Sequence, residues 1–458
     1  MRPLLAFVTA LTLLAETAPL PTYSPAEKRH WSYQPIVQPP VPAFTAPTDQ
    51  AWAKHPIDAF ILDKLKKEGL RPAPAADRAT LLRRATFDVW GLPPTPAELD
   101  AFLKDRSANG WEKVVDRLLA SPKYGERWAQ HWLDVVRFAE SDGFEYDTHR
   151  REAWRYRDYV IHSLNSDKPY HQFVREQLAG DEINPNNETL RIAAGFQRLA
   201  PLRKNAGNQE VASSRNEVLT EMTNVVGAAF LGLTLGCARC HDHKTDPLLQ
   251  RDYYSLLAIF NGTEKYGLVP GTQDKNDKRV KIDETAKVHA LIETSPQVPP
   301  THIMLRGSAL SLGDEVPPAV PTLFKPLSFP PPGPKTSLRR KTLAEWITAP
   351  DNALAWRVIA NRLWQHHFGQ GIVASPSNFG FTGTKPSNPE LLDYLAKQLI
   401  QNGGHFKALH KLILLSATYR QSRTTLQRME AEVLRDCILQ ASGKLNDKRG
   451  GPGIKPRL

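Results

Sequence analysis

The chain contains 458 residues with a formal net charge of +11, and 41% of its residues are hydrophobic. This length exceeds one ordinary core and predicts two domains, while the balanced composition excludes a chain that is disordered throughout. Acidic residues interrupt the basic ones, as in 63–68 (DKLKKE), and no block of five or six like charges occurs. We therefore expect solvated helix faces and, as partner, a periplasmic redox protein or an extracellular polymer rather than nucleic acid.

The amino-terminal residues have the pattern of an export signal. Arg2 precedes an uncharged apolar run at 4–14, and small residues follow at 15–18. The run is too short to span a bilayer and is typical of a signal peptide, so we assign 1–18 to the signal and predict a periplasmic or otherwise exported protein. A retained anchor is the alternative. No later apolar segment is long enough to cross a membrane, so no stable span is expected after signal removal.

Residues 19–50 are rich in proline and lack a helical period, which predicts an extended linker. The following segment, 51–263, has helical spacing and predicts a first helical domain. Its first helix has apolar residues on one face, and Gly69 follows as a stop. Further helices of this domain are predicted, in chain order, at 111–119, 124–139, 151–164, 170–179, 188–198, 214–235 and 251–260.

A Pro-rich connector follows at 264–335, and its one strand signal lies at 301–306. The closing segment, 336–458, returns to helical spacing and predicts a second helical domain. Its helices are predicted at 343–348, 353–368, 389–401, 406–417 and 427–442. The predicted fold class is therefore mainly α, with two helical domains joined by a Pro-rich connector that contains little β structure.

The most specific motif in the chain is Cys-x-x-Cys-His at 237–241. This spacing is the attachment signature of haem c. Two thiols separated by two residues can reach the two haem vinyl groups from one short turn, and the adjacent histidine then lies beneath the iron. We therefore predict that Cys237 and Cys240 bind a covalent haem c and that His241 is the proximal iron ligand. The export signal agrees with this prediction, because c-type haem is attached outside the cytoplasm.

Two other uses of the cysteine pair stay open. Zinc could be held by both cysteines together with two of His241, Asp242 and His243. These ligands fall within seven positions, however, whereas Cys₂His₂ sites separate their ligand pairs by about a dozen residues. A redox dithiol is the other alternative, although no thioredoxin-like βαβ pattern surrounds the pair.

The sixth iron ligand has three main candidates in the sequence. Met222 lies on the helix before the motif, Met304 lies in the predicted strand, and His131 lies on an aromatic-rich helix. Methionine would raise the reduction potential, and histidine would lower it. His55 and His302 are further candidates, and an open sixth position would favour small-molecule chemistry over electron transfer alone.

A second polar cluster lies at 140–147 (ESDGFEYD), just before Arg150 and Arg151. Such carboxylates could bind Ca²⁺ or act as an acid/base pair, but the spacing is not that of an EF-hand, and we expect pairing with nearby arginines. The rival interpretation is an extracellular polysaccharide-acting or polymer-binding protein, in which this loop is active and the Cys/His site holds a structural metal. The adjacent His366 and His367 are expected to pack with Trp364 and Phe368 rather than share an ion, because helix neighbours point about 100° apart.

Motifs in both helical segments resemble a known family. The chain is similar to the planctomycete-type cytochrome-like proteins, which combine the domains of unknown function fifteen-forty-nine and fifteen-fifty-three. The motifs that carry the resemblance occur, in order, at 131–134 (HWLD), 154–159 (WRYRDY), 177–181 (QLAGD), 236–247, 343–346 (LAEW), 361–369 (NRLWQHHFG), 378–380 (NFG) and 416–422 (SATYRQS). The resemblance implies an exported protein whose first domain, 51–263, is cytochrome-like, and a family whose biochemical activity is not established.

The sequence departs from the family pattern in three places. Many relatives carry an additional amino-terminal cytochrome module, which this chain lacks, so we expect one haem rather than two. Thr245 stands where the family usually has phenylalanine, which changes the packing beside the motif. The second domain is expected to be shortened, because family residues that follow Ser422 are missing before Met429.

Overall fold

The computed structural model describes residues 23–143, 147, 149–150, 152–201, 211–263, 292–423 and 428–453. Nearly all regular structure in these residues is helical, which confirms the mainly α fold class. The α-helices are α1 (Pro25–Lys28), α2 (Pro47–Trp52), α3 (Pro56–Lys67), α4 (Arg78–Trp90), α5 (Pro96–Lys104), α6 (Gly110–Ala120), α7 (Lys123–Val135), α8 (Trp154–Asn165), α9 (Tyr170–Ile183), α10 (Glu188–Ala193), α11 (Val211–Val226), α12 (Gln250–Leu257), α13 (Arg339–Ile347), α14 (Ala353–Phe368), α15 (Pro389–Gln401), α16 (Phe406–Leu415), α17 (Ala417–Arg420) and α18 (Ala431–Ala441).

Side-chain caps explain where several of these helices begin. The side chains of Asp77, Thr95 and Asn352 accept backbone N–H groups in the first turns of α4, α5 and α14. Each cap satisfies one of the N–H donors that a helix leaves without an internal partner. Helices α4 and α14 end at Gly91 and Gly369, both left-handed, a conformation that glycine adopts without steric cost.

One continuous hydrophobic core extends through both predicted domains. Helix α6 packs against α16, and the indole N–H of Trp111 donates to the carbonyl of Leu414 at 2.9 Å. Helix α9 of the first segment also packs against α13 of the second. The segments 51–263 and 336–458 therefore share a buried interface rather than being connected by their linker alone.

A buried ionic cluster joins α9 to α13. Arg340, with 1% of its side chain exposed, donates to both carboxylate oxygens of Asp181 at 2.7 and 2.8 Å, and its Nε lies 3.2 Å from Glu182. Burial raises the pKa of Glu182 to about 7, and the Arg340 charge opposes that rise. The backbone N–H of Glu293, from the connector, donates to the same Asp181 at 2.8 Å. The cluster therefore connects α9, α13 and the connector through Asp181 and its neighbour Glu182.

The described part of the connector contains a two-stranded antiparallel hairpin, β1 (Thr301–Met304) and β2 (Leu312–Val316). The first strand lies within residues 301–306, where the sequence predicts a strand. The second strand was not predicted, because Gly313, Asp314 and Glu315 are residues that strands disfavour. Pairing with β1 through a bulge selects its extended conformation. Residues 264–291 of the connector lie outside the described residues.

The amino-terminal linker and one helix differ in detail from the prediction. Residues 34–46 lack regular structure, as expected, but α1, a 3₁₀ turn (Trp31–Tyr33) and the start of α2 interrupt the predicted linker. The helix predicted at 214–235 instead ends in a π-helical turn (Gly227–Leu231), followed by a left-handed Gly232. No helix among the described residues combines the length and apolar character needed to cross a membrane. The predicted signal, 1–18, lies outside those residues.

Candidate functional site at the cysteine motif

The cysteine motif occupies a short surface turn after α11. A 3₁₀ turn (Gly236–Arg239) carries Cys237, and Cys240 follows as its C-cap. Both cysteines are exposed as free thiols, whereas Ala238 between them is buried. The turn is thus anchored through its alanine, and both cysteines lie at the surface.

Gly232 allows the chain to leave α11 and enter this turn. Its φ is +59°, and a Cβ at this position would come within 2.8 Å of a Val358 methyl group. Its carbonyl accepts the N–H of Phe379 at 2.7 Å. Nearby, Arg362 donates to the carbonyls of Ala228 and Ala229 in the π-helical turn. Residues of the second helical segment therefore hold the approach to the motif.

His241 is exposed, and its Nδ1 lies 2.6 Å from the carbonyl oxygen of Asp242. A carbonyl oxygen only accepts, so this distance assigns the proton to Nδ1. Nε2 is then the unprotonated nitrogen and carries the lone pair that a metal requires. Donation from Nδ1 to a carbonyl is also the usual arrangement for a metal-bound histidine.

The next polar residues of the motif have structural roles. Asp242 Oδ1 accepts the N–H of Gln250 at 2.8 Å at the start of α12. His243 is almost fully buried, and its Nδ1 accepts the N–H of Asp246 at 2.9 Å. Because Nδ1 of His243 accepts, its proton lies on Nε2, which points towards Asp246 Oδ2 at 3.7 Å. Both ring nitrogens of His243 therefore face Asp246.

Asp246 connects the motif to the second helical segment. Its Oδ1 accepts the N–H of Phe381 at 2.6 Å, while its buried Oδ2 has no hydrogen-bond partner. A Cβ on Gly380 would lie 2.5 Å from both carboxylate oxygens. Only glycine at 380 therefore lets the two segments approach this closely.

The β1–β2 hairpin lies against the other side of the motif. A Cβ on Gly307 would lie 2.8 Å from Cys240 Sγ, so the hairpin turn reaches the sulfur. Gln250 Nε2 and the Tyr254 hydroxyl each donate both to the carbonyl of Arg239 and to that of Met304, at 2.9 to 3.5 Å. Burial raises the pKa of Tyr254 above its ordinary value, which keeps this donor protonated.

The candidates for the sixth iron ligand lie in different places. Met304 belongs to the hairpin that shares its donors with Arg239. Met222 is buried in the core on α11. His131 is buried and stacks on His366 at a centroid separation of 3.6 Å, with Trp128 as its other ring neighbour. None of these ring neighbours of His131 belongs to the cysteine segment.

The two further histidines also have local environments of their own. His302 Nδ1 lies 3.1 Å from the carbonyl of Gly313 within the hairpin. His55 is the N-cap residue of α3, and burial lowers its pKa. Across the described ranges, no three His, Cys, Asp or Glu side chains form a group that could hold a metal ion.

The acidic loop is held by ion pairs. Asp142 Oδ1 lies 2.7 Å from Arg150 Nε and 3.3 Å from Arg198, with all three side chains buried. Glu140 pairs with Arg157. The expected pairing with nearby arginines is confirmed for Asp142 and Arg150. Residues 144–146 and Arg151 of the predicted cluster lie outside the described residues.

Comparison with known families identifies the two helical segments. A model described as PSCyt2, a protein of unknown function (DUF1549), matches residues 56–265, and one described as PSD1, a protein of unknown function (DUF1553), matches residues 339–458. The chain belongs to the family that combines these two domains. The cysteine motif lies within the DUF1549 domain, and Phe379–Phe381 lie within the DUF1553 domain.

One curated relative is a probable DNA ligase of Sorangium cellulosum (strain So ce56), which is 29% identical over 191 residues. The match covers 40% of this chain and 33% of the relative, so the chain spans about a third of that protein's length. No solved structure matches the chain.

In this DUF1549–DUF1553 protein, sequence reasoning identified the cysteines and His241 but missed three residues around them. Gly307 and Gly380 approach the motif or its loop only through tertiary structure, and Asp246, which belongs to the loop, meets Phe381 in the same way. Gly380 lies in the family motif at 378–380 and Asp246 in the one at 236–247, so the resemblance includes both. Gly307 had no signal beyond being a glycine between a strand and a second apolar stretch.

Proposed function

We propose that this protein is an exported c-type haem protein with an electron-transfer or redox role. The observation that supports it best is the geometry of one turn. Cys237 and Cys240 are exposed on either side of the buried Ala238, and exposed His241 follows with its Nδ1 at the Asp242 carbonyl, which leaves Nε2 for a metal. This donor set fits a haem held by two thioethers and one axial histidine.

The chain's own groups would act as follows. Cys237 and Cys240 would hold the haem through two thioethers, each formed by addition of the S–H across a vinyl group with no leaving group. His241 holds its proton on Nδ1 by donating to Asp242 and offers Nε2 to the iron. A bound haem supplies one-electron oxidation and reduction. Met304 is the sixth-ligand candidate that contacts support, because its carbonyl shares Gln250 and Tyr254 as donors with Arg239.

Export to the periplasm is part of the same proposal, because the Arg2 and 4–14 pattern is that of a signal and thioether attachment occurs outside the cytoplasm. A periplasmic redox protein is the partner we propose. The polymer-acting alternative has less support, because Asp142 of the acidic loop is committed to buried arginines. The zinc alternative has less support as well, because both ring nitrogens of His243 face Asp246, one towards its N–H and the other towards its carboxylate.

The test is expression of the full chain in a bacterial periplasm with haem-ligation machinery. We expect a Soret band that resists acid–acetone extraction, and haem staining that stays with the chain on a denaturing gel. Cys237→Ala should lose most of this signal. Cys437→Ala, which changes the cysteine on α18, is the matched control and should keep it. A colourless wild-type protein with both motif thiols free would overturn the proposal.

A further inference from the structure

Three leucines at the tip of the β1–β2 hairpin are exposed although the hairpin lies beside the cysteine motif. Leu305, Leu310 and Leu312 have 52%, 73% and 57% of their surface accessible. Burying a leucine side chain stabilises a protein by about 1.5–3 kcal/mol relative to leaving it in water. A group of exposed leucines on one short element is therefore typical of a surface that another molecule covers.

The hairpin tip has a defined conformation. The N–H of Leu305 donates to the carbonyl of Ser311 at 2.8 Å and closes the turn. Arg306 and Gly307 are both left-handed, with φ values of +53° and +74°. Leu312 pairs directly with Met304, so these two side chains share one face of the hairpin. The leucines are thus displayed by a fixed turn.

This turn is also fixed to the cysteine motif. Gly307 lies against Cys240 Sγ, and Gln250 and Tyr254 hold the carbonyls of Arg239 and Met304 together. A group that is bonded to Cys240 Sγ would therefore lie next to the hairpin turn at Gly307. A flat apolar ring joined there would meet the neighbouring apolar side chains, because they lie within a few residues of the contact point.

We propose that the hairpin tip is the cover of the haem, with Leu305, Leu310 and Leu312 packing against the porphyrin ring that is bonded to Cys240. This inference rests on the proposed function. Haem attachment would bury the leucines and exclude water from one side of the ring. Solvent exclusion around a haem is one of the means by which a protein sets its reduction potential.

The first test compares two preparations of the wild-type chain, produced with and without haem-ligation machinery. Limited trypsin digestion is followed at Arg306, which is exposed at the hairpin tip. We expect cleavage after Arg306 to be severalfold slower in the haem-bearing preparation. Cleavage after Arg428, in a different exposed segment, should proceed at the same rate in both.

The second test replaces the leucines in the haem-bearing protein. The triple variant Leu305→Ser, Leu310→Ser and Leu312→Ser should keep its covalent haem and its thermal stability but show a lower reduction potential. The matched control, Leu434→Ser with Ile438→Ser on α18, removes equally exposed apolar residues and should leave the potential unchanged.

The outcomes separate this inference from the proposed function. A wild-type chain without covalent haem would overturn both. A chain that carries haem but is cleaved equally fast at Arg306, and whose potential does not respond to the triple variant, would overturn the hairpin cover alone.

Discussion

Asp246 and Phe381 are joined by a hydrogen bond of 2.6 Å, from the Phe381 N–H to Asp246 Oδ1, across 135 positions of the chain. The bond links the loop that follows the cysteine motif to the DUF1553 domain. With the Phe379 N–H donating to Gly232 on the other side of the motif, the second domain holds the turn at both ends. The candidate haem site is therefore a product of both domains, although every proposed haem ligand on the turn belongs to the first.

Gly380→Ala should destabilise the protein, because the new methyl group would lie 2.5 Å from both Asp246 carboxylate oxygens. Overpacking of this kind costs about 1–3 kcal/mol. The measurement is the urea midpoint of the haem-free protein. Gly333→Ala is the control, since its Cβ would have ordinary contacts of 3.5 Å, and it should change the midpoint little. Equal midpoints for both variants would show that the two segments do not approach as closely as described.

Arg340→Met should be strongly destabilising. The substitution leaves Asp181 and Glu182 buried without their cation, and breaking a buried pair in this way costs about 3–5 kcal/mol. Arg435→Met removes an exposed pair with Asp436 and should cost little. Urea unfolding of both variants gives the comparison. A loss no larger for Arg340→Met than for Arg435→Met would contradict a buried tie between α9 and α13.

Three buried histidines and the partly buried His366 should make the fold sensitive to acid. His131, His366, His367 and His410 cluster between α7, α14 and α16, and burial lowers the pKa of each, that of His366 to about 4. A histidine whose folded pKa lies below its unfolded value stabilises the fold above the unfolded pKa of about 6.5. That contribution is lost as the pH falls towards the folded pKa.

The variant His366→Gln isolates the contribution of His366 to the pH dependence of stability. Between about pH 6.5 and 4, the wild type should lose stability relative to this variant by up to about 1.4 kcal/mol per pH unit. The comparison is needed because the raised pKa of Glu182 and of Asp88 produces pH dependence of the opposite sign. His162→Gln on α8 changes an exposed histidine and should leave the pH profile as in wild type. Parallel curves for wild type and His366→Gln would refute the prediction.

Gly307→Ala should impair thioether formation at Cys240, because its methyl group would lie 2.8 Å from Sγ. In protein made with haem-ligation machinery, we expect haem bound through Cys237 alone. The pyridine haemochrome α-band should then move to longer wavelength, as it does when one vinyl group remains. Gly443→Ala is the matched control, since its φ of +70° imposes the same strain with nothing within 4 Å. A band at the wild-type position in both variants would argue against contact between the hairpin and Cys240.

Much of the fold could be predicted from the sequence because helix signals are local. Asp77 and Thr95 cap the helices that they precede, and the apolar spacing of 353–368 matches α14 residue for residue. Predictions failed where a distant partner decides the conformation. β2 becomes a strand only by pairing with β1. The helix predicted at 214–235 ends before left-handed Gly232, whose position is fixed by contacts with Val358 and Phe379 of the second domain.

In the candidate site, too, local features could be predicted from the sequence and long-range contacts could not. The spacing of Cys237, Cys240 and His241 is sequence information, since one turn suffices to bring them together. The assignment of His131 to the sixth position could not be judged from its helix, and its ring stacks on His366 from the second domain. The adjacent histidines His366 and His367 were predicted to pack with Trp364 and Phe368, whereas both have a ring contact with Trp128 from the first domain.

The sequence by itself determined the mainly α composition, the caps of several helices, and the three motif residues that a haem would need. Tertiary structure alone decided that Asp246 meets Phe381, that Gly307 reaches Cys240 and that Arg340 meets Asp181. The physical reason is the distance along the chain over which each interaction acts. Backbone propensity and apolar period act over a few residues, whereas these contacts form only when burial of one shared core brings distant segments together.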